Sequence, residues 1–314
     1  MNRLFVSLLI ALVTLCAGTA SAQKPRVYDF LRNDASARAA AMGGTFATIA
    51  GDPAGLFYNP ATIQTVDSTQ AAFTFFKHLL DINSGFAAVG TEIEGIGRIG
   101  IGVNFNNYGA FERVDRMGRA LGEFGSNDIA LSVGWGTELG EGFSAGLAAK
   151  GIYSNIDAYS SSALALDGGL LFIDTTRRIN AALSLLNLGA QLASFDGIDE
   201  ELPLDLKLGV SHTLRGLPLQ IGVNFHRLLD STENFFGRFE NFSVGGEFTV
   251  SRPVRLRFGY DHGARRDVAF GESRGMAGIS AGFGVVLREY RFDYAFTSLS
   301  RLGSQHHISI NASF

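Results

Sequence analysis

The sequence has little charge, little proline and a single cysteine. Asp, Glu, Lys and Arg make up 18% of the 314 residues, against roughly 25% in ordinary soluble domains. The lone Cys16 excludes a fold held by disulfides within the chain. The formal net charge of −4 gives no electrostatic reason to expect a nucleic-acid partner. After Gln23 no apolar stretch reaches the ~18 residues that a membrane-spanning helix needs.

Residues 1–22 have the pattern of an export signal peptide. Arg3 supplies the positive start, 4–15 form the apolar core, and Ala20-Ser21-Ala22 has the form of an A-x-A cleavage site. We therefore predict an exported chain whose mature part begins at Gln23 and contains no cysteine.

Apolar residues alternate with small or polar ones through most of the chain after residue 67. Ile129, Leu131, Val133 and Trp135, for example, are separated by alanine, serine and glycine. A period of two indicates β-strands, and 26 Phe with 8 Tyr rule out a disordered chain. The pattern repeats in fourteen candidate strands.

Alternation alone does not distinguish a soluble sandwich from a membrane barrel, because both have one apolar face. Candidate strands such as 126–138 and 142–154 exceed the usual ~5–6 residues and match a tilted membrane strand. Their polar face is rich in glycine and alanine, and Phe314 ends the last strand on its apolar face, like the terminal strand that outer-membrane insertion machinery reads. We predict an all-β fold, a 14-stranded antiparallel transmembrane β-barrel over 67–314, in the outer membrane and in contact with its lipid.

Short and long connections alternate along the candidate strands. The long ones are 109–125, 188–202, 228–238 and 263–273. Because bacterial barrels have short periplasmic turns and longer outer loops, we expect these four connections to lie together on the outer side.

The segment 23–66 lacks the alternation and has helical signals instead. Asn33 or Asp34 is expected to cap a helix over 35–42, which Gly43-Gly44 then ends. This helix is rich in alanine and too thin for a free amphipathic helix, which needs a wider apolar stripe. We therefore predict that the segment is a plug inside the barrel.

Further along the plug, Asp52-Pro53 is expected to start a short helical turn and Asn59-Pro60-Ala61 to end it. Arg38 is the one charge on the predicted helix, and we expect it to meet carboxylates on the barrel wall.

Charged side chains also occur on the polar face of the candidate strands. Read functionally, they select a solute in a pore; read structurally, they pair with each other and with Arg38 to hold the plug. We favour the structural interpretation, because polar lumens are usual in barrels and both signs are mixed. The candidate plug and lumen charges are Arg38, Asp205, Lys207, Glu247, Arg255, Arg257, Arg291 and Asp293.

Apolar side chains in or beside the long connections are candidate partner-binding residues. Aromatic and apolar anchors are favoured in protein interfaces, although loop residues of this kind can also fold inward as packing. The candidates are Leu121, Phe124, Leu192, Phe195, Ile198, Phe235, Phe236 and Phe270.

Two short motifs and a histidine pair carry no active-site prediction. Residues 95–100 match G-x-G-x-x-G and 278–282 match G-x-S-x-G, but both lie in alternating segments where the required helix does not follow. His306 and His307 are adjacent on a strand and point to opposite faces, so they cannot share one metal. We therefore predict no enzyme activity, no cofactor and no metal site.

Several motifs resemble the PorQ family, which is of the PorV/PorQ type found in the type IX secretion system. The plug carries Asp29-Phe30-Leu31 and the run from Ser36 to Gly44, and Asn59-Pro60-Ala61 is similar to the plug of the FadL family of long-chain fatty-acid transporters. Downstream the similar patches are Gly122-Glu123-Phe124, Val133-Gly134-Trp135-Gly136, Gly245-Gly246-Glu247-Phe248, Leu256-Arg257-Phe258-Gly259-Tyr260 and Gly282-Phe283-Gly284.

The resemblance implies a non-enzymatic barrel that anchors a PorZ-like surface protein of the cargo-attachment complex. The connection 228–238 is shorter than the family leads us to expect, so the partner or its contact can differ. The alternative is a FadL-like outer-membrane transporter for hydrophobic small molecules. An anchor needs exposed apolar anchors on its outer loops, whereas a transporter needs an apolar pocket and a gap in the barrel wall or plug.

Overall fold

Fourteen antiparallel strands form a closed barrel. The computed structural model describes residues 28–78, 82–197, 200–230, 232, 235–268 and 275–314. Each strand pairs with its neighbours in sequence, and the last strand pairs with the first, so the predicted 14-stranded barrel is confirmed. The strands are β1 (Gln70–Lys77), β2 (Asn83–Ile93), β3 (Gly97–Val114), β4 (Ala120–Gly140), β5 (Phe143–Ile156), β6 (Tyr159–Asp174), β7 (Ile179–Ala193), β8 (Asp205–Thr213), β9 (Leu219–Phe225), β10 (Phe242–Thr249), β11 (Val254–Asp261), β12 (Ile279–Leu287), β13 (Tyr290–Ser298) and β14 (Ser304–Ser313).

The alternation of side chains separates the two faces of the wall. On β11, Leu256 and Phe258 are each 48% exposed on the outer face, while Arg257 between them is 3% exposed on the inner face. The same pattern continues where the barrel closes, since Phe75 pairs with Ile308 on the outer face. The apolar face therefore meets the membrane and the polar face lines the lumen.

The long connections lie at one end of the barrel and the short turns at the other. We call these the outer and the periplasmic end, following the general rule for such barrels. Among the described residues, three of the long connections contain short helices, which are 3₁₀ turns at Phe195–Gly197 and Phe235–Glu240 and an α-helix at His262–Asp267. The residues 198–199 and 269–274, with the candidates Ile198 and Phe270, lie outside the described part of the chain.

The predicted loop 109–125 is wrong in its extent. β3 and β4 continue pairing up to Arg113 and Gly122, so that only 115–119 connect them. A register shift after Asn107 breaks the simple alternation, and this hid the extension in the sequence. Stacking of Phe111 on Phe124, with ring centroids 5.4 Å apart, contributes to the pairing of the extended hairpin.

The described part of the plug has four short helical elements inside the barrel. These are α1 (Ala37–Ala41) and three 3₁₀ turns, Asp29–Arg32, Pro53–Phe57 and Pro60–Thr65. None of the helices in the described residues is both long and apolar enough to cross a membrane.

The caps of the plug helices differ in part from those predicted. Ser36, rather than Asn33 or Asp34, caps α1 by accepting from Arg38 N at 3.1 Å. Gly43 and Gly44 end the helix with φ of 62° and 74°, as predicted.

The helical turn that starts at Asp52-Pro53 ends at Phe57, just before Asn59-Pro60-Ala61, as predicted, but a second turn follows it. Asn59 starts a second turn by accepting from Ala61 N at 3.1 Å, while Pro60 takes the first helical position.

The hydrophobic core lies in the lumen and is built largely from the plug. The large plug side chains Phe46, Met42, Ile49, Leu56 and Ile63 are at most 2% exposed. The plug thus fills the interior that the inner wall encloses.

Candidate functional site

A ring of alternating charges joins the plug to one side of the inner wall. Its plug members are Arg38 on α1 and Asp52 at the start of the next turn. Arg38 donates two hydrogen bonds to Glu247 on β10, at 2.8 and 2.7 Å, and lies 3.6 Å from Asp52. Asp52 in turn accepts from Arg291 on β13 at 2.5 Å.

The wall completes the ring between the same strands. Arg291 donates to Asp293 at 2.7 Å, Arg257 donates to Asp293 at 2.8 Å, and Arg257 also donates to Glu247 at 2.6 Å. Three guanidinium groups therefore face three carboxylates, and the formal charge of the ring is zero. Such balance matters because an unpaired charge in a buried site is costly.

The sequence analysis found five of the six ring members and missed Asp52. Asp52 was expected only to start a helical turn, which it does by accepting from Ala54 N at 3.1 Å. Its second carboxylate oxygen bonds Arg291, some 240 residues away along the chain. No local signal in the sequence distinguishes this pairing from an ordinary cap.

The three remaining candidate lumen charges lie outside the ring. Arg255 is at the periplasmic rim, where it donates to the carbonyls of Ser251 and Arg252 at 2.7 and 3.0 Å. Lys207 lies 3.5 Å from Asp205 and 5.5 Å from the centre of the Tyr58 ring.

Asp205, Lys207 and Tyr58 line a polar cavity of about 110 Å³ on the outer side of the plug. Asp34 also lines it and accepts from the Tyr58 hydroxyl at 3.1 Å. Burial raises the pKa of the Asp34 carboxyl to about 6, and the Tyr58 hydrogen bond partly offsets that rise. Because cations and carboxylates mix in its lining, this cavity has no single sign of charge that would select an ion.

Glycines on the inner wall allow the plug backbone to approach closely. A Cβ on Gly259 would lie 2.2 Å from Gly43 N, and one on Gly245 would lie 2.3 Å from Met42 O. Both contacts are too short for any side chain, so α1 can sit against β10 and β11 only with glycine there. The glycine-rich polar face noted in the sequence is this docking surface.

An apolar cluster fills the outer half of the lumen next to β4, β5 and β6. Tyr28 and Phe30 from the start of the plug pack there with Leu202, Ile152 and small wall residues. The Tyr28 hydroxyl bonds Ser161 on β6 and accepts from Gln191 on β7 at 3.3 Å. This part of the lumen therefore offers an apolar patch, with the buried polar residues Asp128, Ser132 and Ser154 on the inner face beside it.

The wall beside this cluster is incomplete. β7 runs to Ala193, but its pairing with β8 stops at Leu186–Asp205. Asn187 has a left-handed backbone with φ of 62° and forms a bulge opposite Asp167, which accepts from Asn187 N at 2.6 Å. Beyond the bulge β7 stays paired with β6 up to Ala193 but no longer pairs with β8.

A cavity of about 440 Å³ occupies the gap between the outer part of β7 and 200–204. Leu188, Gly189, Leu202 and Leu204 are among its lining residues. Leu202 belongs both to this lining and to the apolar cluster around Tyr28, so one side chain separates the gap from the lumen cluster.

A buried ion pair fixes the bulge. Lys150 on β5 lies 3.0 Å from Asp167 and donates to the Asn187 side-chain oxygen at 2.6 Å. Asn187 donates in turn to the Pro203 carbonyl at 3.1 Å across the gap. The sequence analysis did not single out Lys150 or Asn187, since a bulge leaves no mark in an otherwise apolar strand.

The candidate partner-binding residues fall into two groups in the structure. Phe235 and Phe236 are 62% and 80% exposed on the 3₁₀ turn of the outer end, and Leu121 and Leu192 are also well exposed. Phe124 and Phe195 are half-buried. Phe124 stacks within the extended hairpin, so its ring supports that hairpin.

The two short motifs lie on strands, as predicted. Gly97, Arg98 and Gly100 begin β3, and Ser280 is a buried residue of β12 that donates to the Ala41 carbonyl of the plug at 3.2 Å. Neither motif is followed by the helix that its chemistry requires.

The barrel has the fold of FadL-like outer-membrane proteins. Its fold matches the Pseudomonas putida toluene transporter TodX with a TM-score of 0.55 and 13% identity, over 93% of this chain and 98% of that one. A Pseudomonas aeruginosa FadL homologue matches with a TM-score of 0.52 and 12% identity, over 89% and 98% of the two chains. The CymD monoaromatic hydrocarbon channel matches with a TM-score of 0.54 and 13% identity, over 92% of this chain and 99% of that one.

These likenesses show the fold and, with it, a multi-pass β-barrel of the outer membrane. No family model and no curated protein matches the chain. Nothing in the comparisons points to the PorV/PorQ type specifically, while the FadL-like part of the predicted resemblance is confirmed at the level of the fold.

Proposed function

We propose that the protein is a non-enzymatic outer-membrane channel for small hydrophobic molecules. The proposal is supported by the functions of two proteins that share the fold, the toluene transporter TodX and the monoaromatic hydrocarbon channel CymD. We therefore favour the FadL-like transporter, which was the alternative in the sequence analysis, over the anchor of a secretion complex.

The gap between β7 and β8 is the observation that carries the proposal. Its cavity of about 440 Å³ is within the range of roughly 300–1,000 Å³ that small ligands occupy. The cavity lies beside the apolar cluster of Tyr28 and Phe30, and Leu202 forms the boundary between them. The gap is lined by Leu188, Leu202 and Leu204 and also by polar side chains that include Gln191 and Glu200. A hydrophobic molecule that enters it meets these leucines and then the apolar cluster, whereas the ion ring on the opposite wall offers no apolar surface.

Passage beyond the cluster requires the start of the plug to move. Tyr28 and Phe30 are at most 3% exposed and fill the space behind Leu202. They are held by few polar contacts, chiefly the Asn104 side chain donating to the Phe30 carbonyl at 3.2 Å and the Tyr28 hydroxyl. The ion ring holds the later part of the plug by charged hydrogen bonds at Arg38 and Asp52. We therefore expect the start of the plug, at Tyr28 and Phe30, to be the part that moves.

Uptake of radiolabelled toluene by cells carrying the barrel tests the proposal. Leu202→Trp enlarges the boundary side chain, and we expect uptake to fall close to that of cells without the barrel. Leu192→Trp is the matched control, because Leu192 is 65% exposed at the outer end of β7, on the other side of the gap from Leu202, and does not line the gap. Equal uptake by both variants and the unaltered barrel, at equal outer-membrane levels, would refute a route through the gap.

A second candidate function is the anchoring of a surface protein, for which a PorZ-like partner was expected. It is supported by Phe235 and Phe236, which are 62% and 80% exposed at the outer end and pack edge to face with centroids 5.8 Å apart. Water-exposed aromatics of this kind are favoured anchors of protein interfaces.

Replacing both aromatics by serine tests the anchor. The double variant Phe235→Ser/Phe236→Ser should keep a folded barrel and lose any surface protein that co-purifies with it. Met117→Ser, at an 81% exposed position of the β3–β4 hairpin, is the control. Retention of the same protein by the double variant would remove the support for this function.

A further inference from the structure

The polar side chains that line the gap between β7 and β8 differ in how far their hydrogen-bonding capacity is used. Asn187 uses both the oxygen and the nitrogen of its amide to fix the bulge. Gln191 donates to Ser161 Oγ at 2.8 Å, and its side-chain oxygen accepts from Glu200 N at 2.9 Å. Both side-chain amides are therefore bonded to the protein itself and are not open to a ligand.

The carboxylate of Glu200 differs from these amides. Its Oε2 atom is shielded from water, yet within the described part of the chain no hydrogen bond reaches it. Burial raises the pKa of the Glu200 carboxyl above its usual value, because a charge that loses water is disfavoured. A buried acceptor left unpaired costs free energy. A molecule that donates a hydrogen bond to Glu200 would remove that cost.

The Glu200 carboxylate lies where a molecule in the gap can meet it. Glu200 is among the residues that line the cavity of about 440 Å³. The terminal torsion of a glutamate side chain is broad, so a rotation about it turns either oxygen toward the cavity at little cost. Leu188, Leu202 and Leu204 line the same cavity and offer apolar contact to the rest of such a molecule.

Two further polar atoms without partners lie beyond the Leu202 boundary. Asn104 is 3% exposed and donates to the Phe30 carbonyl, but its side-chain oxygen has no hydrogen bond with any described residue. Ser132 is 1% exposed and lies two residues from Ala130 of the apolar cluster, on the same face of β4. Its hydroxyl is also unpaired among the residues that the structure describes. The lumen therefore repeats the arrangement of the gap, with apolar side chains next to an open hydrogen-bonding atom.

A neutral donor suits this route better than a charged one. Glu200 and its neighbour Glu201 would attract an ammonium group into the gap. To go further, that charge would have to pass Leu202 and the apolar side chains of Phe30 and Ile152. Burial of a full charge among apolar groups costs far more than burial of a hydroxyl that finds a hydrogen bond. The hydroxyl group is therefore the donor that fits both the gap and the lumen behind it.

We propose that Glu200 makes the gap select small hydrophobic molecules that carry a hydroxyl group over plain hydrocarbons. This selection rests on the proposed function, whose substrate class it specifies as phenols and aromatic alcohols. The hydroxyl donates to Glu200 in the gap and then to Asn104 or Ser132 beyond the boundary, while the ring contacts the leucines and the apolar cluster. Hydrogen bonds to a charged group are stronger than those between neutral groups, so the discrimination falls mainly on Glu200.

Uptake of p-cresol and of toluene, which differ by a single hydroxyl, tests the selection. Both compounds are radiolabelled and supplied far below saturation, and uptake by cells without the barrel is subtracted. We expect the unaltered barrel to take up p-cresol about tenfold faster than toluene, which is the factor for a hydrogen bond to a charged group. Glu200→Leu should make the two rates equal without lowering toluene uptake. Glu112→Leu is the control, because it removes the same charge at an exposed position of the β3–β4 hairpin.

A second variant tests the inner part of the route. Ser132→Ala removes the hydroxyl with little change in volume and should lower the ratio of p-cresol to toluene uptake severalfold. Ser144→Ala, at another buried serine of the inner wall near the periplasmic end of β5, should leave the ratio unchanged. Equal rates for the two compounds in the unaltered barrel would overturn the selection. An unchanged ratio in Glu200→Leu, at equal outer-membrane levels, would overturn it as well.

Leu202→Trp separates the selection from the route itself. If this variant lowers uptake of both compounds while Glu200→Leu leaves their ratio unchanged, the route through the gap stands and the selection by Glu200 is wrong. If Leu202→Trp lowers neither rate, the route fails and the selection fails with it. Loss of uptake in Leu202→Trp together with equal rates in Glu200→Leu supports both.

Discussion

The inner and outer faces of the barrel wall are made by the same strands and are stabilised in different ways. On β11, Arg257 faces inward into an ion ring, and Phe258 next to it faces outward into lipid. The outer face needs only apolar character, because lipid adapts to any smooth surface. The inner face must match a particular plug, because atoms there are fixed and closely packed.

The contrast explains where exact residue identity matters. Glu247 touches Arg38 of the plug and Arg257 of the wall, so its carboxylate serves two cations at once. The neighbouring outer-face residues Leu256 and Phe258 are apolar and pair with no ion. Substitutions should therefore be tolerated outside if they stay apolar, and be costly inside even when they are small.

The largest effect is expected for Glu247→Ala. Removal of this carboxylate leaves the ring with one uncompensated positive charge, because Arg38 and Arg257 then keep only Asp52 and Asp293, and breaking a buried pair in this way costs about 3–5 kcal/mol. Urea unfolding of the barrel in detergent micelles measures the loss in free energy of unfolding. Protease access to residues 30–60 reports release of the plug. Arg255→Ala is the control, since Arg255 contacts only turn carbonyls. If the two variants lose equal stability, the ring does not hold the plug.

Ile63→Ala tests the apolar contact between plug and wall. Ile63 is fully buried and lies against the inner wall at Gly100 and Gly136. Truncation of a buried isoleucine to alanine costs about 2–5 kcal/mol. The control Ile96→Ala, at a 56% exposed turn position, should cost far less. Similar urea midpoints for both variants would show that the plug is not packed there.

Phe258→Arg tests the outer face of the same strand that carries Arg257. An arginine near the membrane midplane costs about 2–4 kcal/mol in a barrel, and the cost falls to about 0–1 near the interface. We therefore expect a clear loss for Phe258→Arg and little for Leu139→Arg, at the periplasmic end of β4. Unfolding in lipid vesicles measures both, and a reversed order would contradict the assignment of the membrane belt.

The smallest effect is expected in the part of the wall that extends beyond the membrane. Arg113 pairs with Asp157 there, and the two side chains are 45% and 38% exposed. Ion pairs so open to water contribute about 0–1 kcal/mol. Arg113→Gln should shift the urea midpoint only slightly, and the shift should vanish at high salt. A large salt-independent loss would mean that the hairpin stabilises the whole barrel.

The sequence alone predicted the number of strands and which face of each strand is apolar. Alternation predicts both, because the side chains of a strand point in turn to opposite faces whatever the rest of the chain does. It also predicted that Arg38, Glu247, Arg257, Arg291 and Asp293 face inward. Helix α1 was predicted from local signals, but Ser36 proved to be its cap in place of Asn33 or Asp34.

Only the tertiary structure decided which inward charges meet and where the wall opens. Asp52 joins the ring through a contact between distant parts of the chain, and Arg255 misses it by lying at the rim. The bulge at Asn187 depends on Lys150 and Asp167 from neighbouring strands, and it ends the pairing of β7 with β8. The physical reason is that a period of two fixes a direction for each side chain, whereas a partner or a gap depends on the register between strands that local sequence does not encode.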